Sequence, residues 1–196
     1  MSVPSVSLQE PVAEPHATER PPLRELLPTG NLGVVTAAGM VAAIAAIFVE
    51  FGFTGHALLG AVFTPALVLL TAIDLRHRLL PNAIVFPTTL AVGVILLASS
   101  PESFLRHLAV AAAAGGFFFA FAAFFPGAMG MGDAKLVFLL GLALGPQTVG
   151  AIVIAFLALL VAALYMIFKR GPAARKETIA FGPVLALGGL VAFFLG

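Results

Sequence analysis

Residues 64–87 read TPALVLLTAIDLRHRLLPNAIVFP: an apolar run ends at Asp74, a basic break follows at Arg76, His77 and Arg78, and a second apolar run starts after Pro81. Proline has no backbone donor and cannot continue a helical ladder, so Pro81 and Asn82 mark a stop and a restart between two helices. Apolar helix, cationic turn, apolar helix is the elementary unit of a chain that crosses a bilayer repeatedly. Working outward, apolar segments occupy 32–51, 56–74, 83–99, 104–125, 133–145, 148–168 and 179–195, separated by short breaks rich in Gly, Pro, Asn and charge. The expected fold is an all-α polytopic membrane helix bundle of about seven transmembrane segments, the fifth the shortest, forming one membrane domain over 31–196.

Composition leads to the same class. At 61% hydrophobic and 10% charged, the chain lies outside the range of soluble domains. A net charge of +1, with no basic cluster interleaved with aromatics, excludes a nucleic-acid partner. The absence of cysteine removes disulfides, thiolate zinc sites and cysteine nucleophiles. His16, His56, His77 and His107 never fall at the spacing of a metal pair, so neither metal nor cofactor is expected. Residues 1–30 hold six of the fourteen prolines together with Glu10, Glu14, Glu19, Arg20, Arg24 and Glu25, and read as a disordered cytoplasmic tail. They lack the apolar core of a cleavable signal.

Orientation follows from the cations. Arg76, Arg78, Lys135, Lys169, Arg170, Arg175 and Lys176 gather at alternate breaks, whereas FTGH (53–56), SSPES (99–103) and GPQ (145–147) carry none, with Arg106 the one dissenter. Because cytoplasmic loops retain positive charge, the amino terminus is placed inside and the carboxyl terminus outside. Asp74 and Asp133, 59 positions apart, then share the cytoplasmic membrane boundary.

These are the only aspartates in the chain, and both sit on apolar segments, where ionisable groups are costly and point to function. Two carboxylates brought together cannot both ionise cheaply; one keeps its proton, and the pair can act as acid and base around a shared water. That suffices for peptide hydrolysis without metal or covalent intermediate. Asp133 opens a helix, whose dipole favours the charged form, and Asp74 closes one, where the neutral form is favoured, which suggests Asp133 as base and Asp74 as acid. Gly130 and Gly132 permit unusual backbone angles and close passage of a substrate chain. Lys135 lies about 200° around the helix from Asp133 and reads as an interfacial anchor. Arg76, His77 and Arg78 read as topology determinants. Phe181-Gly182-Pro183 suits the first turn of the last helix or a wall of a substrate groove, and the alanine run at 109–116 and the Gly141/Gly145 pair read as close-packing helix faces.

Taken together, AIDLRHRLLPNAIVFP (72–87), GMGDAKLVFLLGLALG (130–145) and ETIAFGPVLALGG (177–189) resemble the type IV prepilin peptidases, intramembrane aspartic proteases with a GxGD motif. The resemblance covers about 56–196. It implies that Asp74 and Asp133 are the catalytic pair, with Gly130, Gly132, Pro81, Asn82, Phe181, Gly182 and Pro183 near the site. The implied partner, besides membrane lipid, is a prepilin or pilin-like precursor, cut on the cytoplasmic side of the cell membrane between a short basic leader and its hydrophobic helix. Larger members carry a cytoplasmic domain with paired CxxC motifs and also methylate the new amino terminus; a chain without cysteine is expected to cleave without methylating. Ala180 stands where proline is common. Two competing classes are a proton-coupled transporter, disfavoured because both carboxylates lie at one face rather than near the midplane, and a non-catalytic scaffold for pilus assembly in which the aspartates only anchor helix ends.

Overall fold

The computed structural model describes residues 21–125, 129–170 and 180–196. Most of the expected tail lies outside the described residues. From Pro21 onward the chain is placed, first as a short helix α1 (Leu23–Leu26), then as α2 (Gly30–Phe51), α3 (Gly55–His77), α4 (Asn82–Ser99), α5 (Pro101–Phe124), α6 (Met131–Leu144), α7 (Thr148–Arg170) and α8 (Gly182–Leu195). The seven apolar runs are therefore seven helices. The start expected at 179 falls outside the described residues, and α8 is placed from Gly182.

Local chemistry sets the boundaries. Gly52, at φ 60°, ends α2, and the Thr54 hydroxyl accepts from Ala57 N at 3.1 Å to cap α3. Arg78, at φ 52° and ψ 39°, takes the left-handed conformation that closes α3, and Pro81 precedes the first residue of α4. Gly145, at φ 54°, ends α6, where the fully buried Thr148 hydroxyl reaches the Gly145 carbonyl at 2.6 Å and the Leu140 carbonyl at 3.2 Å. The Thr148 hydroxyl thus ties the start of α7 to the end of α6 inside the bundle.

Four helices, α2 to α5, and the run Met131–Lys169, which Gly145 divides into α6 and α7, are long and apolar enough to cross a membrane. Helix α6 has 14 residues, about 21 Å at 1.5 Å per residue against a hydrocarbon core of about 30 Å. It is nonetheless the centre of the bundle: Leu136, Val137, Leu139 and Leu140 are fully buried, and α4, α5 and α8 pack around it. The valines of α2, such as Val34, Val41 and Val49, remain exposed, as a lipid-facing helix requires.

Small residues let these helices approach, since lipid tails supply no hydrophobic drive between them. A Cβ on Gly115 would lie 2.7 Å from that of Phe138, and one on Gly141 or Gly188 would run into the backbone of Ala111 or Ala151. Ala111 and Gly115 are buried, so the alanine-rich face packs as expected. Gly145, just past the helix end, meets the same neighbour: a Cβ there would be 2.6 Å from the ring of His107, one turn from Ala111 on α5, so both glycines pack against α5 as expected. Gly141→Ala should accordingly lower stability by about 1–3 kcal/mol by forcing α5 from α6, measured by denaturant titration in mixed micelles. Gly150→Ala, with nothing within 4 Å, should have no such effect.

Candidate active site

Three helix ends meet at one end of the bundle. The last turn of α3 carries Asp74, buried to 6% exposure, and its carbonyl accepts from Arg78 N at 2.8 Å. The first turn of α6 carries Asp133, whose amide donates to the carbonyl of Gly130 at 3.1 Å, with Gly130 extended at φ −76°, ψ 140° as the cap. Helix α8 brings Gly182 against Asp74 so closely that a Cβ there would stand 2.5 Å from Oδ2 and 3.0 Å from Cγ. The backbone N–H of Gly182 faces the Asp74 carboxylate, and that of Gly130 faces Asp133. Both carboxylates border the same two cavities.

Asp74, Asp133, Arg78 and Gly130 form the partition between two cavities. One, of about 460 Å³, has a charged and polar side made by the aspartates, Arg78, Asn82 and Lys135. The other, of about 790 Å³, runs between α5 and α7 and is lined by Phe117, Phe118, Phe121, Phe156, Leu159 and Phe181. Both volumes lie in the range that holds a ligand segment. An extended chain crossing the partition would present its backbone to both carboxylates, with an apolar stretch on one side and a polar stretch on the other.

The residues expected from sequence are distributed over this arrangement. Pro81, Asn82, Gly130 and Gly132 line the polar cavity, and Phe181 the apolar one. Gly132 sits where a Cβ would be 2.9 Å from the Cβ of Leu80, which fixes the α6 start on the α3–α4 turn. Pro183 lies in the first turn of α8 and lines neither cavity. Among the described residues no group of three metal-ligating side chains comes together.

Two residues differ from the sequence reading. Lys135 is not a free interfacial anchor: its ammonium donates to Asn82 Oδ1 at 2.8 Å, lies 5.3 Å from the Phe86 ring centre, and lines the same cavity as Asp133. Angular separation on one helix says where side chains start, and a long lysine stem bends to the nearest acceptor. Arg78, read as a topology determinant, lines both cavities beside Asp74. The signal for the first was Asn82 at a helix restart; nothing local distinguishes Arg78 from Arg76. Asn82→Ala would leave a half-buried ammonium without its acceptor and should cost about 1.5–3 kcal/mol, read from unfolding of the Asn82→Ala protein beside Lys135→Met.

A family model described as the type IV leader peptidase family matches residues 61–167. The chain is similar to a prepilin leader peptidase/N-methyltransferase of Bacillus subtilis (strain 168), with 30% identity over 154 residues, 78% of this chain and 61% of that protein. It therefore spans less than two thirds of that relative's length. No solved structure matches.

Proposed function

Since the chain belongs to the type IV leader peptidase family, we propose that it removes the leader from prepilins or pilin-like precursors at the cytoplasmic face of the cell membrane, as an aspartic endopeptidase, without methylating the new amino terminus. The observation that carries this reading is the position of both aspartates in the wall between a polar and an apolar cavity. A pilin-like precursor has that same division: a polar leader continuous with an apolar helix. The helix lies in the phenylalanine-lined cavity, the leader in the polar one, and the scissile bond falls at the carboxylates.

The chemistry needs only the pair. The ionised carboxylate takes a proton from water as its oxygen attacks the scissile carbonyl carbon, while the protonated one gives its proton to the carbonyl oxygen. Collapse of the tetrahedral intermediate breaks the C–N bond, the departing nitrogen takes a proton from the dyad, and the products are a leader carboxylate and a new amine. Helix dipoles do not separate the two, because Asp133 lies in the first turn of α6 while Asp74, at the end of α3, lies against Gly182, the first residue of α8; the pair shares one proton and works as a unit.

Arg76, Arg78 and Lys135 cluster at the aspartate end of the bundle, which supports a cytoplasmic location. The lack of cysteine supports cleavage alone. The purified chain in liposomes, given a pilin-like precursor, should yield a product beginning at the apolar helix with an unmodified amine, by mass spectrometry. An intact precursor beside correctly inserted protein would contradict the reading, and proton flux in its place would favour transport.

A further inference from the structure

The polar cavity has lining that the catalytic motifs do not supply. Pro21, Leu23 and Leu26 line it together with the charged groups, and all three lie outside residues 61–167 matched by the family model. They belong to the segment of α1, which borders the same cavity as the aspartates. Within it Glu25 N donates to the Pro22 carbonyl at 2.9 Å and Leu27 N to the Leu23 carbonyl at 3.2 Å. Both bonds are internal to its single helical turn. Leu26 is only 5% exposed, whereas Leu23 and Leu27 are 37% and 38% exposed, and the Pro28 carbonyl packs so near Gly33 that a Cβ there would be 2.7 Å away.

We propose that Leu23 and Leu26 form a specificity wall of the leader cavity, selecting a peptide with an apolar side chain on the leader side of the cut. This rests on the peptidase reading above. The lining combines two unlike kinds of group: Arg78, Asn82 and Lys135, and the leucines of α1. Successive side chains of an extended peptide point in different directions. A leader arm threaded through the cavity therefore sets one residue on the leucines and its neighbours toward the charged groups. The leucines discriminate by apolar contact and the charged groups by hydrogen bonding. The preferred leader has an apolar residue flanked by polar ones in the register that the partition fixes.

The test uses the full chain in liposomes and a set of precursors differing only in leader residues beside the cut, each made Leu or Asn in turn. The wild type should favour Leu over Asn at one register about tenfold in kcat/KM, the discrimination a small apolar pocket gives. In Leu23→Ala/Leu26→Ala that preference should collapse, chiefly through a rise in KM. Leu26→Met should retain it, and so should Leu27→Ala, which truncates the same segment away from the cavity. Binding of a fluorescent leader peptide to the Asp133→Asn protein is measured in parallel, with and without the leucine changes. Equal KM and equal peptide binding with the leucines removed would overturn the wall, as would no peptide binding at all. Faster cleavage without them would overturn it too, showing a plug. Leucine-dependent binding by a wild type that never cuts would uphold the wall and reject the peptidase reading.

Discussion

Asp133→Asn and Asp74→Asn are each expected to lower leader cleavage by at least about 10³-fold, within the range that positioned acid–base groups supply. Asparagine keeps the shape of aspartate and can still meet the Gly130 or Gly182 amide that faces it. It can neither take the proton of water nor give one to the carbonyl, so the loss isolates proton transfer from folding. The double variant should be no worse than either single one, because groups that work as a unit are lost together. Single-turnover cleavage in liposomes, with insertion checked by protease accessibility, measures all three. Either single variant within tenfold of wild type would mean that the pair does not carry the reaction.

Gly182→Ala should be nearly as damaging, by about 10²-fold in kcat, the cost of displacing a reacting group by roughly an ångström. The added methyl would stand 2.5 Å from Asp74 Oδ2, so either the carboxylate turns away or the start of α8 retreats. Retreat would also loosen the partition between the cavities. Gly130→Ala is expected to be milder, with 3.2 Å to Asp133 Oδ2, and Gly116→Ala, with nothing within 4 Å, should leave cleavage unchanged. The comparison is made at equal amounts of inserted protein. If Gly182→Ala cleaves as wild type does, the contact of α8 with Asp74 has no part in setting the site.

Much of this was legible along the chain because it is local. Apolar runs broken by Pro81, Pro101 and Gly145 mark helices, and the rarity of aspartate marks Asp74 and Asp133 without any knowledge of where they meet. What escaped depends on which helices touch. The reach of Lys135 to Asn82 joins positions 53 apart in sequence, and no periodicity encodes it. Gly145 packs against α5 as its spacing from Gly141 suggests, but spacing does not say where a helix stops, and the residue also makes the turn. Phe117, Phe121 and Phe156 look like ordinary lipid-facing aromatics until α5 and α7 are seen to enclose a cavity beside the aspartates. The leucines of α1 lie in a proline-rich stretch with too little apolar surface to announce a helix, and only the fold brings them to the cavity that holds the aspartates.

Whether the two acidic side chains truly meet can be tested without any substrate. The sequence has no cysteine, so Asp74→Cys/Asp133→Cys introduces the chain's only thiols, one at each carboxylate position. In liposomes, Cd²⁺ should protect both thiols of this double variant from maleimide, while each single variant stays reactive. Thiols that alkylate in the double variant as fast as in the single ones, with Cd²⁺ present, would show that the two positions do not come together, and the proposed hydrolysis would have no site.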